Sequence, residues 1–198
     1  FDREVYKYLR SLEKNYKNIR VFRNKKPLGL TQSLINLYPF IESEFIARLD
    51  SGDEWDFDKL KLQVDYLNST KEVGLVGTQV RFSIESGKIV RYSSYPTSFN
   101  TIREKCCNNI GLFSHSSILF RFNSDIFYKN LYYYSQDLDL YLQFISNNIV
   151  ITNMEKTLCT VLFTSNSISI KKKPLQLKCI SRAIKNYKLR IKNELEDN

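Results

Sequence analysis

Apolar residues recur along this chain at two periods, three-to-four and two, and stretches of each kind alternate. Residues 3–14 place Val5, Tyr8, Leu9 and Leu12 at helical spacing, and Ile19-Arg20-Val21-Phe22 reads as a short strand bounded by Asn24 and the Lys25-Lys26-Pro27 turn. Gly29 opens a second helical stretch, residues 30–38, that closes near Pro39. Phe45-Ile46-Ala47-Arg48-Leu49 is an apolar run of strand length that ends abruptly in the polar cluster Asp50-Ser51-Gly52-Asp53-Glu54. A helix is expected over 56–67, with Phe57, Leu60, Val64 and Leu67 on one face and Asp56 and Asp58 in its first turn, where the helix dipole favours acids.

Residues 73–84 and 88–95, separated by Glu85-Ser86-Gly87, predict a β-hairpin. Beyond it, 99–108 predicts a helix, 115–122 a strand, 138–145 a helix led by Ser135-Gln136-Asp137, and 155–163 a closing strand. Helices alternating with strands, plus one hairpin, argue for an α/β sandwich on a mixed sheet. From residue 175, Leu177, Ile180, Ile184, Tyr187, Ile191 and Leu195 form an apolar seam on an otherwise basic helix. The expected organisation is one body over 1–170 and a basic amphipathic helix over 171–198.

Composition narrows the function classes. At 198 residues one domain is expected, and 42% hydrophobic with 14% aromatic residues is too apolar for a disordered chain. No stretch approaches the roughly 20 apolar residues that span a bilayer, and the N-terminus lacks the apolar core of a signal peptide. A cytoplasmic protein is therefore expected, with Cys106, Cys107, Cys159 and Cys179 as reduced thiols, since they show no CxxC spacing. A single His excludes mechanisms that need a His cluster. The formal charge of +9 invites a nucleic-acid reading, but nine Lys/Arg and only three acids lie in 171–198, so two-thirds of the excess sits in the tail. With no RRM, helix-turn-helix or zinc signature, no nucleic-acid partner is expected.

Carboxylates at the end of a buried strand sit where open α/β sheets bind ligands, and Asp50 and Asp53 are the candidates. A cation bridging phosphates takes one or two such carboxylates. The same Asp50-Ser51-Gly52-Asp53 also reads as a turn capping the next helix, because Asp, Ser and Gly form turns readily. Asp137 and Asp139 read equally as helix N-terminal acids. His115 begins an apolar strand, where a lone His is more often structural, and Tyr132-Tyr133-Tyr134 more often packs than binds. Trp55, beside the acidic loop, is placed to stack on a sugar or base, with core packing an even alternative.

The joint order of these features resembles a known family. FIARLDSGDEWDFDKLKLQVDYLNSTKEVGLVGTQV is similar to the middle of family 2 glycosyltransferases of the GT-A fold, whose usual pattern is Ala-Arg-Met/Leu-Asp-x-Asp-Asp, then Arg/Lys-Leu-x-x-Gln-Val, then Gly-Leu-Val-Gly. Upstream, NKKPLGLTQSLINL resembles the family's Asn-x-Gly-Leu loop and helix. Downstream, HSSILFRF resembles its strand leading to the acceptor site, and YSQDLDLYLQF its Glu-Asp-Tyr-Asp-Leu-Trp helix start. The resemblance runs over about residues 18 to 145. It implies a GT-A-like three-layer sandwich with a mixed central sheet, lacking the N-terminal βα units. The implied reaction is transfer of a sugar from a nucleotide-diphosphate donor to a glycan or lipid-linked acceptor, with inversion, in bacterial surface polysaccharide or lipopolysaccharide synthesis.

By position, the resemblance gives Asp50 and Asp53 the metal, Mg²⁺ or Mn²⁺, and gives Arg48, Asp50 and Gly29 the donor. Asp137 becomes the general base, since an acceptor hydroxyl must lose its proton as it attacks, and Trp55, His115 and Gln136 line the acceptor pocket. Gly52 stands where the family has a carboxylate, Gln136 where it has Glu, and Thr164, ahead of Ser165-Asn166-Ser167-Ile168-Ser169, where many members carry a third metal ligand. The family's strands ending in Pro-x-Tyr-Asn and Asp-Asp-Gly-Ser do not occur in the sequence, so a fragment of a longer enzyme is expected. Residues 171–195 are expected to contact anionic membrane at the inner face or to dock on the body by their apolar seam. The rival classes are a non-catalytic partner-binding module and a nucleic-acid binder.

Overall fold

The protein is described here by a computed structural model, which describes residues 2–107, 111–164 and 172–196, with side chains to 189. Six helices, α1 (Arg3–Asn15), α2 (Leu30–Leu37), α3 (Lys59–Ser69), α4 (Phe99–Cys106), α5 (Gln136–Ser146) and α6 (Lys173–Glu196), accompany six strands in the described residues. The strands are β1 (Phe45–Ala47), β2 (Glu54–Trp55), β3 (Val73–Ser83), β4 (Ile89–Tyr92), β5 (Leu119–Arg121) and β6 (Val150–Leu162). Asn108, Ser165–Ser169 and the side chains of Ile191 and Leu195, all of which entered the sequence reading, lie outside the described residues.

One sheet runs β1-β5-β3-β6-β2, with β4 paired to β3. The long strands β3 and β6 lie parallel over their whole length, and every other pairing is antiparallel, so the sheet is mixed. Side chains alternate across it as period two requires. Leu75 and Phe120 face a core built with α4, α5 and α6, while Val76 and Leu119 face the opposite side, where Leu67 of α3 meets them. Helices therefore cover both faces, the three-layer arrangement expected from the sequence. The four cysteines are free thiols, and burial pushes Cys106 and Cys159 up to about 12.

Several local expectations are corrected. Ile19–Phe22 forms no strand, because no strand lies beside it to take its backbone groups. Instead Val21 N donates to Glu13 Oε1 at 2.7 Å and the Arg20 guanidinium donates to Phe40 O at 2.5 Å. Residues 115–117 make a 3-10 turn ahead of a shorter strand, since the Ser117 amide and hydroxyl both turn back onto Ser114 O. Strand β6 starts at Val150 rather than 155; Glu155 and Lys156 bulge out between the pairs Thr78–Met154 and Gln79–Thr157. Glu54–Trp55, read as loop, pairs with Thr160 and Cys159.

The inner face of α3 differs most. Phe57 is fully exposed and precedes the helix, while the buried positions are Lys59, Gln63 and Leu67. Lys59 Nζ donates to Gln63 Oε1 at 2.7 Å, and Gln63 Nε2 donates to Val76 O and Ser117 O, both at 2.9 Å. Because this buried pair satisfies its own donors, α3 can press polar side chains against the sheet. On α6 the seam also shifts: Ile180, Ala183, Ile184 and Tyr187 pack on the α5 side, whereas Leu177 is exposed.

Candidate active site

Where β1 ends, the chain leaves the ladder through Arg48 and turns at Asp50–Asp53, closed by Asp53 N donating to Asp50 O at 3.1 Å. Gly52 sits at φ +94°, where a Cβ would stand 3.1 Å from Leu162 Cδ2. A carboxylate at this position would thus be strained and directed at β6 rather than at its two neighbours.

The two carboxylates of the turn face different partners. Asp50 Oδ1 accepts from Arg48 Nη2, and the Asp50 side chain is 41% exposed against 14% for Arg48. Asp53 is fastened on both sides: Oδ2 accepts from Ser116 Oγ at 2.5 Å and Oδ1 from Leu162 N at 2.9 Å. Burial pushes the Asp53 carboxyl above its ordinary range, and these two hydrogen bonds oppose that shift. Ser116 also accepts at Oγ from Asp50 N (3.0 Å) and at its carbonyl from Trp55 Nε1 (2.6 Å). Ser116, which the motif reading did not single out, is the hub that joins the acidic turn, β2 and the turn at 115–117. The backs of these elements are closed by Lys59, 4.2 Å from the Trp55 ring centre, whose burial lowers its amine to about 8.

His115 is buried, and burial, aided by the nearby Arg48 charge, holds it at about 3, so the ring is neutral. The Tyr128 hydroxyl, pushed up by burial, stays protonated and shares a hydrogen bond of 2.8 Å with Nε2 of that ring. Asp137 occupies the first turn of α5 and its Oδ1 accepts from Leu138 N at 2.9 Å. Burial raises its carboxyl, and the Asp50 charge pushes the same way. Asp50, Asp137 and Arg48 all act on Tyr128, and Asp50, Asp137 and Tyr128 act on Tyr141. Residues from the turn after β1, the 115–117 turn, the 128 loop and α5 therefore share one electrostatic neighbourhood. Four buried polar atoms around it, Arg48 Nε, Ser135 Oγ, Gln136 Oε1 and Tyr141 Oη, have no protein partner.

Gly29 lies elsewhere in this arrangement. At φ +79° it caps α2, and a Cβ there would fall 1.7 Å from Tyr133 Oη, so it packs on the loop that leads into α5 rather than on Arg48 and Asp50. Asp139 is buried beside Gln143, whose Nε2 donates to Asp139 Oδ2 at 2.7 Å and to Phe127 O at 2.9 Å; it fastens that same loop.

A divalent cation fits this turn only in part. Asp53 has both oxygens engaged, and among the described residues no three His, Cys, Asp or Glu side chains gather into a metal-holding group. Asp50, the more open carboxylate, fits the single-ligand role that suffices when phosphate and water complete the shell.

Comparison with known proteins decides the family. The family model for glycosyl transferase family 2 matches residues 3–128, more than half of the chain. The chain belongs to glycosyl transferase family 2. No curated protein sequence matches it. Among solved structures, S. aureus TarS 1–349 is similar with a TM-score of 0.64 at 13% identity, over 93% of this chain and 52% of TarS 1–349. The same TarS segment in complex with UDP gives 0.63 at 14% identity, again over 93% and 52%. Its complex with UDP-GlcNAc gives 0.57 at 16% identity, over 81% and 47%. This family 2 chain thus shares the fold of TarS and spans about half the length of TarS 1–349. The acidic turn and the 115–117 turn both fall inside the family match.

Proposed function

We propose that this chain is part of a glycosyltransferase that moves a sugar from a nucleotide-diphosphate donor to a glycan or lipid-linked acceptor. The observation that carries the reading is that Asp50 and Asp137, distant in sequence, act together with Arg48 on the same buried Tyr128, whose hydroxyl lies against His115. Family membership and the UDP and UDP-GlcNAc complexes of TarS support the donor class.

Asp137 is the base of this mechanism. Its raised carboxyl is a better proton acceptor than an ordinary aspartate, and the acceptor hydroxyl gives up its proton to it while attacking the anomeric carbon. Attack opposite the leaving diphosphate inverts the anomeric configuration. Arg48 and Asp50 face the departing diphosphate, with Asp53 holding the turn through Ser116 and Leu162. Mg²⁺ or Mn²⁺ bound through Asp50 would neutralise charge on that diphosphate. Neutral His115 and Tyr128 keep the wall of the pocket uncharged, and Gln136 and Tyr141 offer hydrogen bonds to the acceptor. Synthesis of a bacterial surface glycan is the product class this reading takes from the family resemblance.

The test is Asp137→Asn in the native gene product. Transfer should fall by about two to four orders of magnitude, the share a positioned base contributes, while calorimetry shows unchanged binding of the nucleotide sugar. Unaltered turnover would remove Asp137 from the base role. Absence of binding to every nucleotide sugar in a panel, with Mn²⁺ present, would favour a non-catalytic module.

A further inference from the structure

The C-terminal helix α6 has two faces, and only one is used by the fold. Ile180, Ala183, Ile184 and Tyr187 pack against the core beside α5, and Asn186 Nδ2 donates to Tyr132 Oη at 2.8 Å. On the opposite side Leu175, Lys178, Arg182, Lys185 and Leu189 recur at spacings of three and four, which places them in one stripe, and all five are exposed. Lys188 flanks the stripe. Leu175 and Leu189 are 44% and 50% exposed.

Two features separate this stripe from an ordinary solvated surface. From Lys172 to Leu189 the sequence has six cations and no acid; the acids of the helix, Glu194 and Glu196, come only after this stretch. Its cations are also flanked at both ends by leucines that gain nothing from facing water. We infer that the outward face of α6 is a docking surface for an anionic lipid bilayer. Lysine and arginine side chains meet the headgroup charge, and the leucines enter the boundary beneath. A nucleic acid would satisfy the charges but has no apolar counterpart for the leucines. The stripe also lacks outward aromatics for base stacking, since Tyr187 is turned into the core. Among the described residues no helix is long and apolar enough to cross a membrane. The inference does not depend on sugar transfer.

Co-sedimentation of the native protein with phosphatidylcholine vesicles, with and without phosphatidylglycerol, tests it. Binding should require the anionic lipid and weaken with added salt. The triple variant Lys178→Glu/Arg182→Glu/Lys185→Glu should reduce binding by at least about tenfold, in line with the charge removed. Leu175→Ser/Leu189→Ser, which keeps every charge, should reduce it several-fold. Far-UV circular dichroism should be unchanged in both, because neither set touches the packed face. No binding to anionic vesicles overturns the inference. So does tighter binding to a single-stranded oligonucleotide to which the leucine variant is indifferent.

Discussion

Helices α1 and α5 make opposite uses of similar patterns. Of the two, α1 is the more sharply amphipathic, yet none of its residues is buried and Tyr8 is 63% exposed; nine of the eleven residues of α5 are buried. What separates them is supply of a surface to pack on. Helix α5 lies between the long parallel pair β3–β6 and α6, whereas the contacts of α1 are with an irregular segment, where Val21 N donates to Glu13 and Arg23 lies over the Tyr6 ring. Phe22, Leu37 and Phe40, which lie together nearby, are exposed as well. Periodicity states which face of a helix wants a partner, and the rest of the chain decides whether it finds one.

The contrast can be broken most directly by truncating one side chain in each region. Phe144→Ala, which removes a ring packed edge-on to Phe120 at 5.9 Å, should cost about 3 to 5 kcal/mol in denaturant unfolding. A loss under about 1 kcal/mol would mean that the α5 side is no better packed than the α1 side.

The second test is pH. His115 belongs to the covered region, with a folded-state pKa of about 3 against 6.5 when unfolded. Its contribution to stability is therefore complete above pH 6.5 and is lost as pH falls from there toward 3, up to about 5 kcal/mol in all. In His115→Gln this part of the pH dependence should vanish, and an identical acid slope in the variant would show that His115 is open to protonation in the folded state.

The smallest effect belongs to α1. Tyr8→Ser should change unfolding free energy by no more than about 0.5 kcal/mol, as at other exposed positions. A larger loss would show that α1 is covered in the native protein.

The same contrast explains what the sequence could say. The hairpin, the helices and the order of layers follow from periodicity, because each element's own residues carry that signal. Ile19–Phe22 has a strand's composition and no strand's partner, and partners are not local information. Lys59 and Gln63 look like surface residues until the carbonyls of Val76 and Ser117 come within reach. In the candidate site the carboxylates at 50, 53 and 137 were visible through motif order. That Asp53 spends its oxygens on Ser116 and Leu162 was not, since those partners lie far along the chain and a serine ahead of a strand is an ordinary residue.

Ser116 has a consequence for how the site opens. One hydroxyl holds the Asp50 amide and the Asp53 carboxylate, and the adjoining carbonyl holds the Trp55 indole. The acidic turn cannot swing away while the 115–117 turn stays in place, so the two should open together as a single cooperative unit. In hydrogen exchange, the Asp50 and Leu162 amides would then share one protection factor, although one follows β1 and the other ends β6.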